Sequence, residues 1–347
     1  MKVTLLVPCF NEEKSLRASI NSCLDQTRKF DEIIFIDDSS SDSTTLILKE
    51  FIERGDIISK RTPQNTGKKS NAQEFGLQFV TGDIFVTTDA DTMLDPNFCE
   101  EIHKSFQDEK VFAVAGYVKS LAYNWLTLCR AFEYTVGQRI HKVAQDNLSY
   151  LFVMPGAASA FRTSAFKEHI SFDHDTITED LDFTYKMHHQ NFKITYNMKA
   201  ICYTQDPSDL KSYINQIRRW FGGGWQNLIK HYSLVKTEPI KALELSLIYA
   251  EGIVFSILLF ILPVVNPILW LNLIFGYLVV TTLFTIWAAI SEKRLALVLA
   301  SVPYLLILYV HSYIYLEQFV REIILKRKTM VWHKPKRVDI ELIKLTS

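Results

Sequence analysis

An almost continuously apolar stretch runs from Leu243 to Leu316, and this stretch restricts the fold more than any other feature of the sequence. Three segments within it, Leu245–Val265, Ile268–Ile290 and Leu295–Leu316, contain 21 to 23 residues each. At about 1.5 Å per residue, each is long enough to cross a hydrocarbon core about 30 Å thick. Buried helices of soluble proteins rarely run so long with so few charges. The sequence therefore predicts a membrane anchor.

Two basic segments leave the orientation of these spans ambiguous. Lys293-Arg294 separates the second span from the third, and the tail after Glu317 is also basic. Basic loops favour the cytosolic side, yet three complete spans cannot leave both segments there if the N-terminal region is cytosolic too. Either one segment is re-entrant or interfacial, or the tail lies outside. Glu251 and His311 lie in apolar stretches, which indicates either a functional site or a position near a span end.

Charge and cysteine content exclude other classes of protein. Lys+Arg and Asp+Glu both number 38, so the formal net charge is zero. Binding of the phosphate backbone of a nucleic acid needs a surplus of basic residues, and the sequence therefore predicts no nucleic-acid partner. The five cysteines are far apart, which favours a reducing compartment over a disulfide framework or a zinc cluster. An apolar strand begins directly after Lys2, so no signal peptide is expected.

The N-terminal region alternates short apolar runs with helical stretches. This rhythm predicts a doubly wound α/β sheet covered by helices on both faces. In such sheets ligands bind at the carboxyl ends of the strands. The predicted strands are Val3–Val7, Ile33–Ile36, Ile84–Val86 and Phe112–Gly116, and the first predicted helices are Asn11–Gln26 and a helix through Leu46–Phe51.

Clustered carboxylates follow three of the apolar runs: Asp37-Asp38, Asp89-x-Asp91 and Glu179-Asp180. One Asp-x-Asp alone is more typical of a solvated turn or a helix cap, but a position directly after a buried strand favours a site. Oxygen-rich clusters suit Mg²⁺ or Mn²⁺ together with substrate phosphates. Basic residues that could contact phosphate oxygens also occur in this region. They are Arg61, Lys68 and Lys69.

Six motifs occur in an order that resembles one family. They are Pro8-Cys9-Phe10-Asn11-Glu12-Glu13, Asp37-Asp38-Ser39-Ser40-Ser41-Asp42, Asn65-x-Gly67-Lys68, Asp89-Ala90-Asp91, Thr178-Glu179-Asp180 and Gln216-Ile217-Arg218-Arg219-Trp220. The sequence resembles the family 2 glycosyltransferases of GT-A fold. Within them it resembles the membrane-embedded branch that includes cellulose, chitin, hyaluronan and poly-N-acetylglucosamine synthases. The resemblance covers roughly residues 1–235.

The resemblance implies a role for each motif. Asp180, with Glu179 beside it, is implied as the general base that deprotonates the acceptor hydroxyl, and Asp89 and Asp91 as the metal pair. The other implied roles are as follows: Pro8, Asn11 and Glu12 in the loop beside the nucleotide base, Asp37 or Asp38 on the uracil or ribose, Lys68 and Asp89 on the donor diphosphate, Gly156 in the acceptor segment 155–161, and Gln216, Arg219 and Trp220 near the leaving diphosphate and the acceptor sugar.

Physical chemistry agrees with these roles. An inverting displacement needs one free carboxylate as base and a separate metal site. A guanidinium such as that of Arg219 suits a diphosphate, and an indole face such as that of Trp220 suits the C–H side of a sugar. An interfacial anchor is the alternative for Trp220. Asp182 is expected to be a first-turn carboxylate that faces the helix dipole.

Four regions are predicted: a catalytic GT-A domain at 1–210, interfacial amphipathic helices at 211–242, a transmembrane region at 243–316 and a basic tail at 317–347. Gly222-Gly223-Gly224 predicts a hinge, a kink or a close backbone approach. No membrane helix precedes Val3, so a polymer channel built by this chain alone is not expected. A partner membrane subunit or a homo-oligomer is the alternative.

The expected function is an inverting glycosyltransferase that uses a nucleotide sugar, a UDP-sugar by preference, with Mg²⁺ or Mn²⁺. The expected location is the inner or plasma membrane, with several spans and a cytosolic catalytic domain. A growing polysaccharide or oligosaccharide is the expected acceptor, and a lipid acceptor is the alternative. Two other classes are a non-catalytic membrane scaffold and a small-molecule transporter. The complete carboxylate set argues against a scaffold, and the motif series against a transporter.

Overall fold

The computed structural model describes residues 1–233 and 239–330 together with Pro335 and Val338. The end of the predicted basic tail at 317–347 therefore lies outside the described residues. The elements of the N-terminal region are β1 (Val3–Cys9), α1 (Leu16–Leu24), β2 (Glu32–Asp37), α2 (Thr44–Glu53), β3 (Ile58–Arg61), α3 (Lys69–Leu77), β4 (Ile84–Thr87), β5 (Thr92–Leu94), α4 (Phe98–Ser105), β6 (Val111–Ser120), α5 (Trp125–Val136), a π-helical turn (Gly137–His141), α6 (Lys142–Asn147), β7 (Ser159–Arg162), α7 (Thr163–His169), α8 (Glu179–His189) and β8 (Lys193–Thr204).

The eight strands form one mixed sheet in the order β3-β2-β1-β4-β7-β6-β8-β5. Strands β3, β2, β1 and β4 are mutually parallel, as the alternation of strands and helices predicts. Strand β7 is antiparallel to both β4 and β6, and β5 is antiparallel to β8. The α/β sheet that the sequence predicted is thus present, and it is mixed because antiparallel β7 lies between two groups of parallel strands.

Both faces of the sheet are buried. On β2, Phe35 packs into a core on one face, while Ile34 and Ile36 pack into a second core on the other face. Successive residues of a strand point to opposite faces, so a strand that is apolar throughout needs a layer of side chains on each side. The prediction that helices cover both faces follows from the same pattern.

The first helix is shorter than its predicted range, Asn11–Gln26. It begins at Leu16 because Asn11 has a positive φ of 55°, which ends strand β1 in a turn and not in a helix. Asparagine tolerates this left-handed conformation better than most residues do. The turn brings the Asn11 side chain back against the loop that follows β2.

The C-terminal region is helical. It consists of α9 (Leu210–Lys230), α10 (Pro239–Val265), α11 (Pro267–Ser291), a 3₁₀ turn (Leu295–Ala300), α12 (Pro303–Phe319) and a π-helical turn (Val320–Ile324). Among the described residues, α11 is the one helix long and apolar enough to cross a membrane, and 22% of its most apolar stretch is buried. Tyr249–Val265 in α10 is a shorter apolar stretch. The third predicted span is not one helix, because the 3₁₀ turn precedes the 17-residue α12.

The triple glycine lies inside α9, which continues through it without a break. A Cβ atom on Gly223 would collide with the side chain of Thr178, the residue before α8. A Cβ on Gly224 would lie 2.9 Å from the Tyr249 hydroxyl. Among the three readings of the motif, the structure therefore has the close backbone approach.

We predict that Gly223→Ala destabilises the protein by about 1–3 kcal/mol, because the branched Thr178 side chain cannot move without displacing α8. Gly276→Ala in α11 is the matched control, since nothing lies within 4 Å of a Cβ built there. Thermal unfolding in detergent measures the difference. Equal unfolding temperatures for the two variants would contradict the close approach.

Candidate active site

The loops after β1 and β2 are joined at the carboxyl edge of the parallel strands. The Asn11 side-chain oxygen accepts hydrogen bonds from the backbone N–H groups of Ser41, at 2.7 Å, and Asp42, at 3.3 Å. The backbone N–H of Glu12 donates to Thr44 at 2.7 Å. Pro8 pairs with Ile36 in the sheet register. The residues predicted to lie beside the nucleotide base thus join the two loops at the carboxyl edge of the sheet.

Asp37 and Asp38 are both buried and hydrogen-bonded to the protein. Asp37 forms an ion pair with Arg61 at 2.6 Å and accepts a hydrogen bond from Thr45 at 2.7 Å. Asp38 accepts from the Thr66 hydroxyl at 2.9 Å and from the Thr66 backbone N–H. Asp38 therefore holds the 65–67 loop in place. Its predicted contact with uracil or ribose stays a prediction.

The two adjacent lysines at the start of α3 point to different places. Lys68 is extended, and its ammonium donates to the backbone carbonyl of His174. Lys69 is the first helical residue, and its ammonium forms an ion pair with Asp89 and donates to the Gly156 carbonyl at 3.1 Å. The sequence identified both as candidates for phosphate contact but assigned the diphosphate to Lys68. In the structure, Lys69 is the lysine that lies among the carboxylates.

Gly156 leaves room for two charged groups. A Cβ atom there would lie 2.8 Å from the Lys69 ammonium nitrogen and 3.9 Å from Asp180 Oδ2. The structure thus brings together Lys69, Asp89, Gly156 and Asp180, which come from four separate parts of the sequence. Any side chain at position 156 would fill the space between the ammonium and the carboxylate.

Glu179 and Asp180 form the first turn of α8. Burial raises the pKa of Glu179, and the neighbouring Asp180 charge raises it further. Burial also raises the pKa of Asp180, while the charges of Lys69 and Arg219 oppose this rise. The pKa of Lys69 is itself raised, because Asp89, Glu179 and Asp180 outweigh the effect of its burial. A half-buried carboxylate with a raised pKa is the type of group that accepts a proton in catalysis.

The Gln-x-x-Arg-Trp residues occupy one face of α9, because positions i, i+3 and i+4 of a helix are neighbours. The charge of Arg219 acts on both Glu179 and Asp180, and within the described chain its side chain has no ion-pair partner within 4.0 Å. The side-chain oxygen of Gln216 is buried and has no hydrogen-bond partner among the described residues. Trp220 is half-buried, and the Arg130 guanidinium lies 4.8 Å from its ring centroid.

Buried charges hold α8 against α9. Asp182 contacts His231 Nε2 at 2.8 Å, Lys230 at 2.8 Å and Lys186 at 3.1 Å. Burial would raise the pKa of Asp182, but hydrogen bonds from His231 and Lys230 lower it. Asp182 does lie in the first helical turn, as expected, yet its carboxylate is buried in this ion-pair network. The side-chain amide of Asn227 adds a hydrogen bond to Thr178 at 3.0 Å.

The two carboxylates predicted to bind a metal differ in their exposure. Asp89 is partly exposed, with a side chain 34% accessible, whereas Asp91 is buried and accepts a hydrogen bond from Thr92 at 3.2 Å. Burial raises the pKa of the Cys202 thiol, and the charges of both Asp89 and Asp91 raise it further, so both carboxylates lie near this thiol. No group of three or more His, Cys, Asp or Glu in the described part of the chain could hold an ion unaided. One or two carboxylates with diphosphate oxygens fit Mg²⁺ or Mn²⁺.

Two residues missed by sequence reasoning, Arg130 and Asn227, complete the site together with Lys69. Lys69 was a candidate only through its charge, and its orientation depends on where α3 begins. Arg130 and Asn227 belong to none of the motifs, and they reach the site through α5 and the far end of α9. Their side chains carry no local pattern that identifies a contact with Trp220 or with Thr178.

The sequence model of glycosyl transferase family 2 matches residues 4–170, the segment that contains Lys69, Asp89 and Gly156. Residues 4–170 are a family 2 glycosyltransferase domain. The resemblance of the sequence to this family is thereby confirmed. Residues 179–220, which contribute Asp180 and the Gln-x-x-Arg-Trp face, lie beyond the matched segment of the glycosyltransferase domain.

Two curated relatives have similar sequences. The hyaluronan synthase of Streptococcus pyogenes is 29% identical over 264 residues, covering 70% of this chain and 61% of the synthase. The poly-beta-1,6-N-acetyl-D-glucosamine synthase of Staphylococcus aureus is 28% identical over 265 residues, covering 75% of this chain and 64% of that protein. The chain thus spans less than two thirds of the length of either synthase.

A solved structure has a similar fold. The mannosyltransferase of Pyrobaculum calidifontis, in complex with GDP-Man and Mn²⁺, aligns with a TM-score of 0.64 at 18% identity. The alignment covers 87% of this chain and 86% of the mannosyltransferase. The eight-stranded sheet and the helices around it therefore have a GT-A-like fold.

We predict that Lys69→Gln raises the pKa of Asp180, because the variant loses the positive charge that opposes the rise. A base with a higher pKa is deprotonated only at higher pH. The acid limb of the pH–rate profile of sugar transfer should therefore move up by about one pH unit. Lys68→Gln is the matched control, since its ammonium binds a backbone carbonyl instead. Identical acid limbs in both variants would contradict the role of Lys69.

Proposed function

We propose that the protein transfers a sugar from a nucleotide-sugar donor, a UDP-sugar by preference, to a saccharide hydroxyl with inversion at the anomeric carbon. One observation carries this proposal: Asp180 lies half-buried in the first turn of α8, with a raised pKa, across the Gly156 backbone from the Lys69 ammonium and within the field of Arg219. A general base with cations on either side suits the attack of a hydroxyl on a carbon that bears a diphosphate.

Each side chain has a distinct task in this proposal. Asp180 accepts the proton of the attacking hydroxyl, and burial together with the charge of Asp89 keeps the Asp180 pKa high. Glu179 lies beside it in the first turn of α8, and its own pKa is raised by burial and by the Asp180 charge. Lys69 and Arg219 stabilise the negative charge that develops on the leaving diphosphate by charge-assisted hydrogen bonds. A divalent cation on Asp89 and Asp91 would supply further neutralisation of that diphosphate. Lys69 would then exchange its contact with Asp89 for a phosphate oxygen.

A growing polysaccharide is the proposed acceptor. The two curated relatives are named for polysaccharide synthesis, and the indole of Trp220 on α9 offers a face for a sugar ring. The exposed apolar helices favour a second candidate, a lipid acceptor at the bilayer surface. Donor turnover by purified protein in lipid, across UDP- and GDP-sugars with Mn²⁺ or Mg²⁺, separates the two. A ladder of products supports a synthase, and a single extractable glycolipid supports the lipid acceptor.

We predict that Asp180→Asn binds the donor with unchanged affinity but transfers sugar at least about 100-fold more slowly, because the amide cannot accept the proton. Donor binding is measured by calorimetry and transfer by release of the nucleoside diphosphate. Full transfer activity in Asp180→Asn would contradict the general-base role.

The metal pair supplies the contrasting variant. Asp89→Ala combined with Asp91→Ala should lose metal-dependent donor binding while the wild-type Asp180 is still present. Metal-dependent affinity retained in this double variant would remove these carboxylates from the cation site. The two sets of variants therefore separate the base from the metal site by which step each one affects.

We also infer that α10 and α11 anchor the protein in a membrane. Large apolar side chains of α11 are exposed along its length: Leu271 at 57%, Phe275 at 68%, Leu283 at 61% and Ile290 at 71%. A soluble protein rarely exposes so large a continuous apolar surface, whereas a bilayer covers it. The proposed location is the inner or plasma membrane with the catalytic domain in the cytosol.

The loop after α11 supports a specific orientation. Glu292 accepts a hydrogen bond from the Tyr117 hydroxyl at 2.5 Å and forms ion pairs with Lys119, at 2.7 Å, and Arg139. The Arg294 guanidinium donates to the Ala122 carbonyl at 2.7 Å. The loop is thus tied to β6 of the catalytic domain, so α10 leads away from that domain and α11 leads back.

Helix α12 contacts the catalytic side from beginning to end. Tyr304 donates to Glu133 at 3.0 Å, His311 is hydrogen-bonded to Tyr213 at 2.5 Å, and Glu317 pairs with Arg218 at 2.8 Å. These contacts support an interfacial α12, one of the two alternatives that the basic loops left open. Both basic segments then face the cytosol. The two spans in the described part of the chain cannot enclose a channel by themselves, so export of a polymer would need a partner subunit or a second copy.

We predict that cysteines introduced at Lys293 and Arg327 react with an impermeant maleimide on the catalytic side of sealed vesicles. A cysteine at Val264, which is 85% exposed, should react only from the opposite side. The native cysteines are buried and give little background. Lys49→Cys on α2 marks the catalytic side. Labelling of Arg327→Cys from the same side as Val264→Cys would mean that α12 crosses the membrane.

A further inference from the structure

A buried arginine lies against the indole of Trp220. Arg130 belongs to α5, outside the motifs, and is 3% exposed. Its guanidinium carbon lies 4.8 Å from the Trp220 ring centroid, 5.0 Å from that of Tyr134 and 5.4 Å from that of Tyr213. A guanidinium within about 6 Å of an aromatic centroid is attracted to the ring, and more strongly where water is excluded.

Two carboxylates hold this guanidinium from other directions. Arg130 forms an ion pair with Glu133, one turn along α5, and its Nε lies 3.3 Å from Asp206 after β8. Burial would lower the pKa of Arg130, but the charges of Glu133 and Asp206 raise it, so the group is permanently charged. A planar fork with donors on several edges can satisfy both carboxylates and still present a flat face to an indole. A lysine ammonium cannot do all three.

Helix α12 closes the same network. The Tyr304 hydroxyl donates to Glu133 at 3.0 Å, and His311 Nε2 lies 3.6 Å from Glu133 and 2.5 Å from the Tyr213 hydroxyl. His311, an unexplained ionisable residue of the apolar stretch, therefore braces the carboxylate that braces Arg130. The network connects α5, α9, α12 and the chain after β8 around one guanidinium.

We propose that Arg130 is a positioning residue for the acceptor: its guanidinium fixes the plane of the Trp220 indole on which the acceptor sugar stacks. The proposal rests on the proposed transfer to a saccharide. Arg130 is packed on one side of the indole, so the acceptor uses the other side. Loss of the guanidinium would let the indole rotate, which weakens acceptor binding without touching the donor.

Arg130→Lys keeps the charge and most of the volume but lacks the planar fork. We expect the acceptor KM to rise about tenfold, with donor KM and the acid limb of the pH–rate profile unchanged. Arg54→Lys is the matched control, because the guanidinium of this exposed residue at the end of α2 lies 4.1 Å from the Phe51 ring centroid. The control should leave all three quantities as in wild type. A rise in donor KM with Arg130→Lys, or no change in acceptor KM, would overturn the proposal.

A double-mutant cycle separates positioning from general support of the fold. If Arg130 acts through the indole, Arg130→Lys should change acceptor KM less than about twofold in a Trp220→Phe background. Independent, multiplying losses would mean a merely structural role and would overturn the proposal.

Fluorescence tests the contact itself without any activity. The emission lost on Trp220→Phe reports on the indole, and this difference should shift when Arg130 is lysine. If Arg130→Lys shifts the emission but the wild-type protein turns over no sugar donor, the proposed function is contradicted and the contact stands. An unshifted emission together with normal acceptor KM would overturn the positioning role alone.

Discussion

The packing of α8 on α9 is the constraint on which the rest of the site depends. Asp182 is buried and bonded to His231 and Lys230 at the far end of α9, and Gly223 lets the backbone of α9 approach Thr178. A buried carboxylate is stable only when its partners stay in place, since loss of one leaves an unpaired charge. This packing therefore sets the distance between the first turn of α8, which carries Asp180, and the face of α9 that carries Arg219.

Neighbouring charges of both signs explain how two adjacent acidic residues, Glu179 and Asp180, are accommodated in a half-buried site. Burial raises the pKa of both carboxyl groups, and the Asp180 charge raises the pKa of Glu179 further. The charges of Lys69, at the start of α3, and of Arg219, on α9, offset part of this rise. A diphosphate that binds these two cations would neutralise the charges that lower the Asp180 pKa. Donor binding would therefore raise the pKa of Asp180 and make it a stronger base.

The strand runs, the strand-end carboxylates and the motif order were predictable because each is local. A strand buried on both faces must be apolar throughout, and the βα rhythm follows from that requirement. The insertion of antiparallel β7 was not predictable, since strand order depends on contacts distant in sequence. The choice between Lys68 and Lys69 was also out of reach, because a shift of one residue in the start of α3 exchanges their directions. The third apolar segment was long enough to span a bilayer, yet its contacts with α5 and α9 could not be read from hydropathy.

The sequence by itself determined the family of the N-terminal domain, the presence of long apolar helices and the set of carboxylates at the sheet edge. These properties depend on residue type and on spacings of a few positions, which side-chain chemistry and helix or strand periodicity control directly. Only the tertiary structure decided that Lys69 joins Asp89, that the glycines of α9 admit Thr178, and that Arg130 lies on Trp220. Each of these contacts joins residues far apart in the chain, and its geometry is set by packing across elements whose relative positions no local pattern specifies.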